Sequence, residues 1–286
     1  RTGAGAWVRP TDPLADVEFL VAADLDGKRA NARIRLAAEV DASAIPSLID
    51  GAVEDRRLEW DDDADDLVER VERRLDGLRL GAQRHRPAPS EETTAALVRR
   101  VRATKLETLP WTPAAQQLRA RVALLRSTIG EPWPDLSDRR LLEALDDWLA
   151  PYLVGASGRA DLDRLDVALL LRHQLPWPLG AELDALAPAS CELPSGRVAP
   201  IDYTAERPTV SVRVQDVFGV RVHPAVAGGR VPLTLSLLSP ADRPIQVTAD
   251  LPGFWAGSWA DVRKDMAGRY PKHRWPQDPS TEVPGH

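Results

Sequence analysis

The residues of this chain best suited to chemistry lie near its C-terminus, where cations alternate with aromatic side chains. Between positions 250 and 279 the sequence reads DLPGFWAGSWADVRKDMAGRYPKHRWPQDP. Such a mixture is typical of single-stranded nucleic-acid sites, because cations contact phosphates and aromatic rings stack on bases. The candidate contact residues are Arg263, Lys264, Arg269, Tyr270, Lys272 and His273.

A helix is expected to position the first half of this stretch. Asp250 suits an N-cap, Pro252 suits the first turn, and Gly268 precedes a break at Pro271. On a helical period one narrow stripe forms from Trp255, Trp259, Val262 and Met266. We favour the interpretation that this stripe packs into the core. The alternative is that its aromatic rings are exposed and stack on bases. The prolines after Gly268 predict an irregular tail.

A second group of cations lies between residues 90 and 126. Seven basic residues stand there against three acidic ones, and we take Arg119 and Arg121 as candidate phosphate contacts. A solvated helix face explains the same pattern, and this is the interpretation that we favour.

The bulk composition limits the classes of protein that the chain can represent. With 286 residues and a net charge of -6, it is no uniformly basic nucleic-acid binder, so a polyanion site must be a local patch. Cys191 is the sole cysteine, which excludes internal disulfides and suits a cytoplasmic location. The sequence contains no apolar run long enough to cross a membrane, so we expect no membrane partner. We also expect a monomer. The first residue is Arg1, from which we expect a fragment of a longer protein.

Motifs of independent catalysis are missing from the sequence. It contains no pair of histidines at zinc-helix spacing, no G-x-S-x-G elbow and no phosphate-binding loop. The acidic run at 61–66 lacks the glycine and the glutamate of a calcium loop, so a solvated hairpin tip is the better interpretation. A small-molecule enzyme is therefore the least favoured hypothesis.

Residues 1–86 have the pattern of short strands. Asp26-Gly27 predicts a two-residue hairpin between strands at 17–23 and 32–36, and Asp76-Gly77 predicts another. A further pair is expected at 57–60 and 67–75, although the latter also suits a helix. Several short strands of this kind predict a small barrel or sandwich.

Helices are predicted in residues 87–190 and strands again from residue 191. The helices begin at Ser90, Thr112 and Ser137, and two more cover 161–171 and 179–186. The strands are expected at 197–203, 209–217, 231–238 and 244–249. The fold class is therefore α+β.

The C-terminal stretch resembles the C-terminal signature of bacterial HrpB-type ATP-dependent helicases. The residues that carry this resemblance are Phe254-Trp255, Trp259-Ala260-Asp261-Val262-Arg263-Lys264-Asp265-Met266, Gly268-Arg269-Tyr270-Pro271-Lys272-His273, Trp275-Pro276 and Asp278-Pro279. Upstream matches are Ala23-Asp24-Leu25-Asp26-Gly27, Leu109-Pro110-Trp111-Thr112, Leu136-Ser137-Asp138, Trp148-Leu149-Ala150-Pro151, Pro194-Ser195-Gly196, Ile201-Asp202-Tyr203, Gly228-Gly229-Arg230-Val231-Pro232-Leu233, Leu238-Ser239-Pro240 and Gln246-Val247-Thr248. Arg274 departs from the pattern, since a small residue or proline is expected there.

The resemblance implies the part of a DEAH-box, superfamily 2 RNA helicase that follows its two RecA-like domains. It implies an incomplete OB-like β-barrel at 1–86, a helical connector at 87–190, and a family-specific domain at 191–286, in which a C-terminal helix and an irregular tail close a β-sheet. ATP and magnesium would belong to the missing helicase core, and this chain would hold no cofactor. The implied partners are single-stranded RNA, bound weakly, and the protein's own helicase core.

Two hypotheses for the function follow. In the first, the chain is a non-catalytic accessory region that binds single-stranded nucleic acid or regulates the helicase core. In the second, it is an interaction module that docks a partner or the core without touching nucleic acid.

Overall fold

The computed structural model describes residues 4–28, 30–44, 53–75 and 78–284. Two compact units are present. The first comprises Arg1–Arg100 with Leu153–Asp163, and the second comprises Val101–Tyr152 with Arg164–His286. The domain boundaries near residues 86 and 190 stay predictions.

The described residues of the first unit form two open three-stranded sheets. In one, β1 (Ala6–Trp7) runs parallel to β3 (Ala32–Glu39), which pairs antiparallel with β2 (Leu20–Leu25). The other is an antiparallel meander of β4 (Val53–Asp61), β5 (Asp66–Leu75) and β6 (Leu78–His85). The described strands close no barrel, so the predicted OB-like barrel is not confirmed. The predicted mixture of helices and small sheets is confirmed.

The hairpin predicted at Asp26-Gly27 is confirmed, but its two-residue loop is wrong. Strand β2 ends at Leu25 and β3 begins at Ala32, so residues 26–31 connect them. Gly27 has φ +80° and Asn31 φ +50°, and both residue types tolerate this left-handed region. The turn predicted at Asp76-Gly77 lies outside the described residues.

The helical alternative for residues 67–75 is wrong, because β5 is hydrogen-bonded on both sides. Its Leu67 is the partner of Trp60 on β4, and its Glu69 is the partner of His85 on β6. The acidic run forms the β4–β5 turn, as the hairpin interpretation predicted. Its carboxylates are bound by arginines, as in the pairs Asp61–Arg84 at 2.6 Å, Asp62–Arg100 at 3.1 Å and Asp65–Arg159 at 2.7 Å.

The middle of the chain is mostly helical in both units. Its helices are α1 (Glu91–Ala103), α2 (Pro113–Ile129), α3 (Asp138–Glu143), α4 (Leu145–Trp148), α5 (Arg159–Asp163), α6 (Val167–His173) and α7 (Leu179–Leu186). Residues 153–163 join the first unit because the hydroxyls of Thr93 and Thr94 on α1 donate to the carbonyls of Ala156 and Leu153.

Two predicted helices in the middle of the chain are interrupted in the structure. The one that begins after Ser137 stops at Ala144, whose φ of -105° and ψ of 18° leave the helical region, before α4 starts. The helix predicted at 161–171 divides into α5 and α6, because Asp166 caps α6 by accepting the Leu169 N–H at 3.0 Å. Periodicity alone does not reveal these breaks, since the apolar spacing continues across them.

The rest of the second unit combines short strands with two helices. They are β7 (Ser190–Glu192), β8 (Val198–Pro200), β9 (Thr209–Arg213), β10 (Ala225–Val226), β11 (Val231–Pro232), β12 (Thr234–Leu238), β13 (Pro244–Thr248), α8 (Leu251–Ala256) and α9 (Trp259–Arg269). The central β12 is parallel to β9 and antiparallel to β13. The helix predicted near the C-terminus is divided into α8 and α9, because α8 ends at Gly257. The second part, α9, continues through Gly268, where the sequence predicted the end of the helix.

Tyr203 gives the second unit an alkaline stability limit. Burial raises the pKa of Tyr203 to about 12, and its hydroxyl donates to the Pro188 carbonyl at 2.8 Å. The folded state therefore keeps a proton that an unfolded tyrosine loses near pH 10, so stability should decrease by about 2 kcal/mol between pH 10 and 12. Urea unfolding across this range should show a shallower decrease for Tyr203→Phe. Parallel profiles for the two proteins would contradict this assignment.

Candidate nucleic-acid interface

An aromatic cluster forms the core beneath the C-terminal helices. Trp255 lies 5.0 Å from Phe254 and 5.3 Å from Trp259 between ring centroids, and Phe218 contacts both tryptophans edge-on. All four residues are buried, as is Met266. The tryptophan stripe therefore packs into the core, which confirms the favoured interpretation.

Indole N–H groups fasten the irregular tail to this core. Trp259 donates to the Pro276 carbonyl at 2.9 Å, and Trp275 donates to the Tyr270 carbonyl at 3.0 Å. The N–H of His273 donates to the same Tyr270 carbonyl at 3.1 Å. Because these bonds fix the backbone from 270 to 276, the exposed side chains of the tail have defined positions.

The candidate cations of α9 lie on different sides of the helix. With roughly 3.6 residues per turn, Arg263 and Arg269 flank the buried Met266 on opposite sides, and Lys264 lies almost opposite it. Lys272 and His273 are exposed on the tail, and Tyr270 caps the helix. The six predicted residues therefore do not form a single patch.

One surface depression brings two of these residues together, and we call it the α9 groove. It is a cavity of about 360 Å³ lined by Ser239, Arg243, Pro244, Ile245, Val262, Asp265, Met266, Arg269 and Tyr270. Arg243, Arg269 and Tyr270 thus line a common space, together with Asp265. This combination suits a phosphate, since a guanidinium donates two parallel hydrogen bonds to an oxyanion.

Arg243 is the residue of the groove that sequence reasoning missed. It follows the turn between β12 and β13, where its N–H donates to Ser239 Oγ at 3.1 Å. Asp242 holds the turn through a two-point pair with Arg213, at 2.8 and 2.9 Å. The Arg213 hydrogen bonds keep the pKa of the Asp242 carboxyl below its ordinary value. Only the hairpin pairing carries Arg243 toward α9, so no local motif identified it.

Few internal contacts occupy the polar groups of the groove. Arg269 and Asp265 lie 3.5 Å apart on an exposed face, where an ion pair contributes little. The Tyr270 hydroxyl is 3.5 Å from Ser239 Oγ, a long hydrogen bond that a better acceptor can replace. By contrast, Arg274 on the tail is paired with Glu282. Arg269 and Tyr270 are therefore available to a ligand.

Comparison with known proteins supports the resemblance seen in the tail. Residues 148–279 match the family described as "ATP-dependent helicase C-terminal", HrpB_C. The chain is 37% identical over 290 residues to the ATP-dependent RNA helicase HrpB of Escherichia coli strain K12. The chain contains the C-terminal domain of HrpB-type helicases. The match covers 99% of this chain and 36% of that relative, so the chain spans about a third of the relative's length.

Two solved structures share the fold of this HrpB-type region. The crystal structure of the E. coli DExH-box NTPase HrpB has a TM-score of 0.69 and 37% identity, covering 98% of this chain and 35% of that one. The crystal structure of the Escherichia coli DEAH/RHA helicase HrpB has a TM-score of 0.61 and 33% identity, covering 95% and 34%. The family predicted from the tail signature is thereby confirmed.

Arg119 and Arg121 on α2 are bound within the HrpB-type region. Arg119 donates to the Leu136 carbonyl at 2.6 Å and pairs with Asp138 at 2.7 Å. Arg121 is only 6% exposed and donates to the Ala187 carbonyl at 2.5 Å and to Asp184 at 2.6 Å. Because Arg121 is buried, its position does not support direct contact with a phosphate. The contacts of Arg119 hold its guanidinium in a fixed orientation.

The described residues provide little for a metal ion or a reactive thiol. In that part of the HrpB-type chain, no three His, Cys, Asp or Glu side chains gather as a metal site would require. Cys191 is half-buried, and burial raises the pKa of its thiol, so the reactive thiolate is disfavoured. Of the helices described, none has the length and apolarity needed to cross a bilayer.

Proposed function

We propose that this chain is a non-catalytic accessory region of an ATP-dependent RNA helicase, and that its α9 groove holds single-stranded RNA. The observation that carries the proposal is the convergence of Arg243, Arg269 and Tyr270 on one cavity. Lys272 and His273 are exposed on the tail that follows Tyr270, outside the lining of the groove. Because the whole chain is acidic, this local patch would bind weakly and with strong dependence on salt.

The role of the groove would be to retain the strand that leaves the helicase core. ATP and magnesium would be bound by that core, and no step of hydrolysis is assigned to this chain. The strands of the first unit would be the remainder of an OB-like barrel, and the region would act in the cytoplasm as a monomer. Its similarity to the E. coli RNA helicase supports this assignment to a larger enzyme.

A titration of fluorescein-labelled oligouridylate, followed by fluorescence anisotropy at 20–200 mM salt, would test the groove directly. We expect Arg243→Ala with Arg269→Ala to weaken binding about tenfold at low salt and to reduce the salt slope by about two. The matched control is Arg207→Ala with Arg230→Ala, which removes two exposed arginines outside the groove. Equal effects of the two double variants, or no binding at low salt, would refute the proposal.

A second function is favoured by an exposed tryptophan between α6 and α7. Trp177 is 93% exposed, and Leu169 on the preceding helix is also exposed. One turn after Leu169 on α6, Nδ1 of His173 lies 2.7 Å from the Tyr152 hydroxyl, and the two rings are stacked. Exposed aromatic residues of this kind anchor protein interfaces. The occupant we favour is the helicase core that belongs to the full-length protein.

Co-purification with the separately expressed helicase core would test this second function. Trp177→Ala with Leu169→Ser should abolish a stable complex, whereas Arg243→Ala with Arg269→Ala should leave it intact. If the Trp177 variant retains the complex, this surface is not the docking site.

A further inference from the structure

A strained turn at the end of α1 places a lysine at the edge of a second cavity. Lys105 has φ +50° and Leu106 has φ +75°, although neither is a glycine. The N–H of Lys105 donates to Arg102 O and the N–H of Leu106 to Val101 O, which is the pattern of a Schellman cap. Glycine normally occupies the position of Lys105, because a side chain there is strained.

The strain at Leu106 has an internal explanation, and the strain at Lys105 does not. The Leu106 side chain is buried in the core. Lys105 is exposed, and among the described residues no carboxylate lies within ion-pair distance of its ammonium. A cation at a helix C-terminus gains from the helix dipole, but an unstrained position in the last turn provides the same gain. The ammonium of Lys105 is therefore exposed on a strained turn and has no ion pair among the described residues.

The cavity beside this turn has the size and the lining of a nucleotide site. Its volume is about 700 Å³, within the range of small-molecule pockets. The residues that line it and enter the argument are Lys105, Glu107, Trp111, Gln116, Arg119 and Thr204. They belong to the α1–α2 turn, to α2 and to the loop before β9.

The aromatic wall of this cavity is held rigidly. The Trp111 indole N–H donates to the Leu106 carbonyl at 3.0 Å, so the strained turn and the ring are connected. The Arg119 guanidinium lies over the Trp111 ring, 5.4 Å from its centroid, and is fixed by Leu136 and Asp138, so a base would stack on the opposite face of the indole. A fixed ring loses little entropy when a base stacks on it.

We propose that this cavity binds one nucleotide unit of a single-stranded nucleic acid, with the base against Trp111 and the phosphate on Lys105. This inference rests on the proposed function, since it adds a second contact point for the same strand. Glu107 provides an acceptor for the exocyclic amino group of a base, which favours adenosine over uridine. Asp138 does not compete for Lys105, because Arg119 already neutralises it.

Adenosine monophosphate is the probe for this site, and the indole ¹H–¹⁵N resonance of Trp111 is the readout. Trp111→Phe identifies the resonance. We expect adenosine monophosphate to shift it with a dissociation constant in the millimolar range, and adenosine without phosphate to bind at least fivefold more weakly. No shift of this resonance at about 20 mM nucleotide would overturn the proposal.

Lys105→Gly separates binding from folding. Glycine relieves the strained φ, so the urea midpoint should rise, while the affinity for adenosine monophosphate should decrease at least fivefold. The control Lys28→Ala removes an exposed lysine of the first unit and should change neither quantity. Unchanged affinity in Lys105→Gly would also overturn the proposal.

The double variant of the α9 groove distinguishes failure of the nucleotide site from failure of the groove. Arg243→Ala with Arg269→Ala should leave the Trp111 shift by adenosine monophosphate unchanged. If that variant also binds oligouridylate normally, the groove hypothesis fails, and the nucleotide site is still decided by the Trp111 shift and by Lys105→Gly.

Discussion

Replacement of Trp259 by alanine is expected to lower the free energy of unfolding by about 3–5 kcal/mol. The side chain is 1% exposed and contacts the rings of Phe218, Phe254 and Trp275. Its removal leaves a cavity at the centre of the aromatic cluster and takes the donor from the Pro276 carbonyl. Urea unfolding followed by circular dichroism measures the loss.

Trp177→Ala is the matched control for that variant. It removes the same side chain from a position that is almost fully exposed, so we expect a change within about 0.5 kcal/mol. In Trp259→Ala the tail should also become sensitive to trypsin at Lys272, because its fastening is lost. A stability within 1 kcal/mol of the control would show that the aromatic stripe is not a core element.

Replacement of Arg121 by alanine is expected to cost roughly 3 kcal/mol of stability, because buried carbonyls lose charged donors. The guanidinium is bound by the Ala187 carbonyl, by the Leu183 carbonyl at 3.4 Å and by Asp184. Burial acts to raise the pKa of the Asp184 carboxyl, but hydrogen bonds from Arg121 and Arg172 hold it below its ordinary value. Arg121 thus joins α2 to α7 and the segment that follows it.

The control for Arg121 is Arg172→Ala, which removes the other partner of Asp184 from an exposed position. Arg172 pairs with the same carboxylate at 2.6 Å, and its loss should cost less than about 1 kcal/mol. At a temperature where both variants are folded, each should bind oligouridylate as the unaltered chain does. A specific loss of RNA affinity in Arg121→Ala would restore Arg121 as a contact residue.

The two candidate sites differ in how many of their residues the sequence predicts. Arg269 and Tyr270 were predicted from the density of cations beside aromatic residues. Arg243 was not, because it is an ordinary arginine after a turn until β13 pairs with β12. Lys105 was counted among the cations of residues 90–126, but its strained backbone is visible only in three dimensions.

The sequence by itself determined the family, the α+β composition and most of the elements, because these depend on local caps, turns and alternation. Thr112, Ser137 and Asp250 accept backbone N–H groups at helix starts as their residue types predict. Only the tertiary structure decided which cations share a cavity, since that depends on pairing between distant segments. The same dependence explains Arg121, which was predicted to be a surface cation. In the structure it is buried and stabilises the fold through its contact with Asp184 on α7.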